Sequence, residues 1–235
     1  MFDIRSVTAA LAAVVIAPVG LATPASALPP AVDQFAPGYP FVTFDPSTTD
    51  SWTQCSGGFV ARNENGAPIM LTAGHCDAGG EVALRYRPTG NWQRLGSFLV
   101  NKYSDPYSTS KPDIGVVPLN NAEVPVSSLL LGRTPVHGAI LPTVGQRLCK
   151  EGESFVCGTV TKVTSSKVFF DADNRRGDSG GPVYTENGDG SVTAVGIVSG
   201  MPDGCTPNPG AERSCGGTTV AELIAPWLQR WGLTI

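Results

Sequence analysis

The sequence predicts an all-β protein, with strands folded into barrels or sandwiches and one helix at the C-terminus. Three observations point there. Short apolar runs alternate with turn clusters from Gly57 onward. Glycine and proline are abundant, at 28 and 20 of 235 residues, as many short elements joined by turns require. Helical periodicity is confined to the end of the chain.

Taken in order, the chain opens with an export pattern. Arg5 precedes an apolar run over 7–22, which ends near Ala25-Ser26-Ala27, an A-x-A cleavage site. The competing membrane anchor needs about 20 apolar residues; this run is shorter, and Pro18 and Pro24 break it. The expectation is a signal peptide over 1–27 and a secreted protein beginning at Leu28. Residues 28–50 are rich in Pro, Ser and Thr and read as an extended N-terminal segment. Strands are expected at 57–61, 68–71, 81–87, 95–101, 113–119, 155–163, 167–170, 182–184 and 192–198. Turns fall between them at Glu64-Asn65-Gly66, Thr89-Gly90-Asn91 and Asn187-Gly188-Asp189-Gly190. A linker-like stretch over 120–135 divides the strands into two groups, 51–125 and 126–235. Over 221–231, Leu223, Ile224, Trp227, Leu228 and Trp231 share one helical face, with Pro226 disturbing the start.

The net charge of −4 argues against a nucleic-acid partner. The six cysteines all follow the expected cleavage site, and an even count in an exported chain implies disulfides. Six cysteines allow 15 pairings; their spacing suggests the local pairs 55–76, 149–157 and 205–215. Zinc needs four ligands in spacings this sequence lacks, and it holds only two histidines. Nothing in it calls for a cofactor.

The stretch RGDSGGPVY, residues 176–184, surrounds one hydroxyl with glycines. Serine is a weak nucleophile until a base and oxyanion donors flank it. Ser179 is therefore the candidate nucleophile, with the Gly177 and Ser179 N–H groups as candidate oxyanion donors. Gly180 and Gly181 suit a tight turn and close approach of substrate backbone. Asp178 is expected to be buried and paired, holding the loop. Arg-Gly-Asp over 176–178 also matches an adhesion signal, but three residues are a weak motif inside a stronger one. His75, in LTAGHC, follows an apolar strand and precedes a cysteine that can fix its turn, as a general base requires. His137 has no such setting and no assigned role. Asp113 opens the apolar run DIGVV, where a carboxylate needs a partner; an imidazole N–H suits it. The rival Asp105 precedes a proline in a polar turn.

TAGHC, then DIGVV, then GDSGGP resembles the chymotrypsin-like serine peptidases, in the order His, Asp, Ser. The likeness runs from about Cys55 to the C-terminus. LCKEGESFVCGTV and SCGGTTVAEL are similar to the secreted bacterial branch, the streptogrisin and α-lytic-protease type. The resemblance implies two antiparallel six-stranded β-barrels with a C-terminal helix. His75 and Asp113 would come from the first barrel and Ser179 from the second. It further implies peptide-bond hydrolysis through an acyl-enzyme, a protein or peptide substrate, no membrane role after signal cleavage, and a monomer. Asp173, Ser199, Gly200 and Met201 fall at substrate-binding positions, with Asp173 at the pocket floor or wall depending on the branch. Met201 would narrow the pocket, and Arg175 and Arg176 at the rim would favour acidic groups. Lys150, or nearby Arg147, is the expected partner of Asp178 in place of a freed N-terminus. An esterase elbow is disfavoured because the serine comes last and no helix follows. A latent homologue that only binds would usually lack a triad member, and all three are present.

Overall fold

The computed structural model describes residues 28–48, 51–104, 110–200 and 217–235. The expected signal peptide, Asp105, Met201 and the Cys205–Cys215 pair lie outside the described residues.

The first half contains β1 (Pro40–Phe44), β2 (Trp52–Ser56), β3 (Val60–Arg62), β4 (Pro68–Thr72), β5 (Glu81–Arg85), β6 (Trp92–Ser97), β7 (Val100–Tyr103) and β8 (Asp113–Pro118). They form two four-stranded sheets, β2-β1-β5-β6 and β3-β4-β8-β7. Every pairing in them is antiparallel. Together the two sheets form the barrel-like first half, in keeping with the family likeness. Two long strands bend and pass from one sheet to the other, which is how such corners are made. The first corner is Gly57-Gly58, between β2 and β3. A Cβ at Gly57 would stand 2.4 Å from the Phe35 ring, and one at Gly58 2.2 Å from the Leu71 carbonyl oxygen. The second is Phe98-Leu99, between β6 and β7, where the Phe98 ring packs against Gly115 of β8.

The second half contains β9 (Val136–Ala139), β10 (Arg147–Lys150), β11 (Val156–Val163), β12 (Lys167–Phe170), β13 (Pro182–Glu186), β14 (Val192–Gly200) and β15 (Thr219–Leu223). The order β13-β10-β11-β12-β15-β14, closed by β13 on β14, is a six-stranded barrel. β9 runs parallel to β14 outside the ring. Helix α1 (Ala225–Trp231) follows, with Pro226 in its first turn and left-handed Gly232 ending it.

Several elements differ from the sequence expectation: β2, β9 and β10 lie where the sequence predicts no strand, and the runs 57–61 and 95–101 each include a corner. β1 lies inside the segment read as an extended lead-in, and it pairs with both β2 and β5. Its Phe41 and Val42 are fully buried, so it belongs to the first barrel. Residues 219–223 are a strand rather than the first turn of the helix. Thr219 and Val220 favour extended backbone, all five residues of the strand are buried, and Pro226 starts the helix instead of disturbing it. Cys55–Cys76 and Cys149–Cys157 are bonded as the spacing suggested.

One apolar cluster fills the first barrel around Phe35, Phe41, Leu84 and Leu95. Another fills the closed barrel around Leu148, Val168, Phe170 and Val195. A third joins the halves, setting Phe59, Leu71 and Ile114 against Ile197, Ile224 and Trp227. The candidate site lies where these halves meet.

Candidate active site

β4 delivers the chain into a tight 3-10 turn, Gly74–Cys76, which presents His75. The Cys55–Cys76 bond ties that turn to β2. Asp113 is the first residue of β8, and β8 pairs with β4. The His75 ring Nδ1 is 2.8 Å from Asp113 Oδ2, and the His75 backbone N–H donates to Asp113 Oδ1 at 3.0 Å. Two bonds from one residue fix the plane of the carboxylate. Burial alone would raise the Asp113 carboxyl. The hydrogen bonds and charge of His75, with a bond from Ser199, outweigh burial and hold it below its ordinary value of 3.8. An ionised carboxylate only accepts, so the Nδ1 carries the ring proton and Nε2 is left as an acceptor. The Tyr103 ring flanks the imidazole at 5.7 Å between centroids.

Ser179 sits in the loop between β12 and β13. That loop is pinned from the first barrel: Ser56 donates its N–H to the Ser179 carbonyl at 2.8 Å and its hydroxyl to the Gly177 carbonyl at 2.6 Å. Gly177 and Gly180 have φ of 93° and 79°, a region L side chains rarely adopt. Gly180 is also hemmed in, since a Cβ there would stand 2.0 Å from Thr72 Oγ1. The close approach at Gly180 and Gly181 is thus made by the protein's own chain, and not by substrate as the sequence suggested. For Gly181 the neighbour is the Glu151 carbonyl, 2.2 Å from a notional Cβ.

Asp178 is fully buried. Its carboxylate accepts from Lys150 Nζ at 2.6 Å, the Ser154 N–H and hydroxyl at 2.8 Å each, and the Arg175 N–H at 2.7 Å. Of the two cations considered, Lys150 is the partner, while Arg147 pairs with Glu186 at the surface. Burial pulls the Lys150 amine down; Asp178 offsets part of this, and the group stays below its ordinary value.

His75, Gly177 and Ser179 line one cleft of about 510 Å³, together with Trp52, Gln54, Glu153 and Arg176. Within it, no hydrogen bond joins the Ser179 hydroxyl to the His75 ring; a base-to-nucleophile contact is often long before substrate binds. The remaining expected residues divide. Asp173 is exposed, because side chains alternate along the extended 171–174 segment and turn Ala172 and Asn174 inward. The buried Asn174 donates its Nδ2–H to the Gly200 carbonyl at 3.0 Å. Gly200 and Ser199 are half-buried at the end of β14. The Ser199 hydroxyl, read as a substrate contact, donates to Asp113 Oδ2 at 2.8 Å.

Sequence reasoning missed what lies behind Ser199. Lys167 and Glu222, register partners on β12 and β15, form a buried ion pair at 2.6 Å. Lys167 Nζ also donates to Ser199 Oγ at 2.9 Å. Glu222 accepts from the Asp113 N–H at 3.3 Å and from Trp227 Nε1 at 2.7 Å. The available signal was a charge inside each of two apolar runs, KVFF and TVAEL.

Two joined β-barrels that carry a histidine, an aspartate and a serine to their junction define the chymotrypsin-like class. The comparisons with known proteins agree. The trypsin family pattern matches residues 129–214. Streptogrisin-C of Streptomyces griseus is 30% identical over 189 residues, 77% of this chain. The chain spans 38% of the length of that relative. Among solved structures, a Nocardiopsis protease, NAPase, is similar at TM-score 0.60 and 24% identity, over 85% of this chain and 97% of its own. An α-lytic protease homologue, N4, is similar at TM-score 0.59 and 23% identity, over 85% and 99%. An inactivated protease paralogue of the scabies mite shares the fold at TM-score 0.54 and 16% identity, over 83% and 94%. The family pattern, the streptogrisin relative and the shared fold support a chymotrypsin-like serine peptidase of the bacterial type.

Proposed function

We propose that this chain is a secreted serine endopeptidase working through Ser179, His75 and Asp113. The observation that carries the reading is the His75–Asp113 pair, doubly hydrogen-bonded and sharing a cleft with Ser179. His75 Nε2 takes the Ser179 proton as the hydroxyl attacks the scissile carbonyl. The ionised Asp113 orients the ring and stabilises the imidazolium that forms. The N–H groups of Gly177 and Ser179 receive the oxyanion. Support for that role comes from the Asp178 carbonyl, which shares a peptide plane with the Ser179 N–H and accepts from the Gly181 N–H at 2.9 Å. His75 then protonates the leaving amine, and water releases the acid from the acyl-enzyme. The exposed Asp173 argues against a preference for cleavage after Arg or Lys.

A second reading, a latent homologue that binds without cutting, rests on the absent Ser179–His75 hydrogen bond and on the inactivated mite paralogue with the same fold. Intact-mass analysis after exposure to a fluorophosphonate separates the two. The expected result is a single adduct on the mature protein that vanishes in Ser179→Ala. No adduct on folded, disulfide-bonded protein would sink the peptidase reading in favour of the latent one.

A further inference from the structure

We propose that the buried Lys167–Glu222 ion pair is a positioning device for the catalytic aspartate, setting the proton affinity of His75 through Ser199. The inference deepens the peptidase reading and rests on it. Both charged side chains are essentially shielded from solvent, at 1% and 0% exposure. A lysine ammonium only donates, so the Ser199 oxygen that Lys167 contacts must accept from it. The single Ser199 proton is then committed to Asp113. Glu222 holds the other side of the same aspartate, taking the Asp113 N–H on Oε2, while Trp227 satisfies Oε1. Strands β12, β14 and β15 and helix α1 thus converge on Asp113, the first residue of β8. Packing alone does not call for charges here, since well-packed apolar side chains at such positions are often as stable.

The pair is neutral as a unit, so deleting either member leaves an uncompensated charge beside Asp113. The other charged or titratable groups around His75 are few among the described residues. Tyr103 flanks its ring, Asp77 follows its turn and bonds Asn101, and Glu153 and Arg176 face it across the cleft.

The test is direct titration of the His75 imidazole by NMR in the mature, disulfide-bonded protein. His137 is the one other histidine, and a His137→Gln background leaves a single ring to follow. Lys167→Met leaves Glu222 negative near Asp113, favours the imidazolium, and should raise the midpoint. Glu222→Gln leaves Lys167 positive and should lower it. Each shift is expected at roughly half to one pH unit, and the double variant should return close to the parent. The pH dependence of fluorophosphonate labelling should move in step. A purely structural role predicts losses in the same direction and no opposed shifts. Single variants that both move the midpoint one way, or not at all, overturn the proposal. If a single variant does not fold, Ser199→Ala reads the same link: loss of its bond to Asp113 should raise the midpoint, and an unmoved midpoint overturns it. A parent protein unreactive with the probe at every pH would sink the peptidase reading instead, and the titrations would still judge this one.

Discussion

Lys150 and Asp178 pose the sharpest question at the scale of single residues, because neither side chain has any exposure. An uncompensated charge left at such a depth is costly, typically about 3–5 kcal/mol. Lys150→Ala should therefore lower stability by about that amount and disorder the loop that carries Gly177 and Ser179. Arg147→Ala should cost under about 1 kcal/mol, since its bond to Glu186 lies at the surface. Denaturant unfolding of both variants checks the pair, and equal effects would mean that burial does not govern the difference. Residues of this kind were legible where a motif surrounded them. His75, Asp113, Ser179 and Asp178 each sit in a short pattern whose chemistry demands a partner. Ser56 and Lys167 were not legible. Their roles arise from bonds to Gly177 and Ser199, 121 and 32 positions away, and depend on the register of strands that no local pattern announces.

At the scale of elements, the turn that presents His75 is held by covalent and packing constraints together. β4 leads into it, β8 supplies Asp113 beside it, and Cys76 bonds Cys55 across a separation of 21 residues. Closing a loop of that size is worth about 3 kcal/mol in the unfolded-chain account. The Cys55→Ala/Cys76→Ala variant should lose about that much stability, and its fluorophosphonate labelling should slow at temperatures where it remains folded. Undiminished labelling would show that β4 and β8 alone fix the ring. Most strand positions were legible, because turn residues punctuate alternating apolar runs. β1 was obscured by the proline and threonine around it, and β15 by a coincidence of spacing. Leu223 and Ile224 fall on the same helical face as Trp227 and Trp231, yet the β-branched residues before them pair with β12 and β14. The local period and the tertiary pairing competed there, and the pairing won.

Over the whole molecule, the two halves are joined by more than the site. The cluster uniting Phe59, Leu71 and Ile114 with Ile197, Ile224 and Trp227 spans both. Beyond α1 the chain returns to the first barrel, where Arg62 and Thr234 exchange backbone hydrogen bonds at 2.8 and 2.9 Å. Such shared burial predicts a single cooperative transition, with tryptophan fluorescence and far-UV signal changing together. Its pH dependence should carry the mark of two carboxyl groups with opposite signs. Asp113 lies below its ordinary 3.8 in the fold, so the unfolded chain binds the proton more readily. Its contribution is complete above 3.8 and is lost as pH falls through the folded value. Glu151 is raised above 4.5 by burial, against the bond from Tyr184, so its protonated form is favoured in the fold. Its contribution is complete below 4.5 and is lost as pH rises through the folded value. Glu151→Gln should therefore gain stability relative to the parent on the neutral side of that window. Asp113→Asn should lose stability at neutral pH and approach the parent as pH falls below 3.8. Denaturant midpoints of the three proteins from acid to neutral pH test both signs. If the Asp113→Asn difference were constant across that range, the His75–Asp113 pairing would owe nothing to charge.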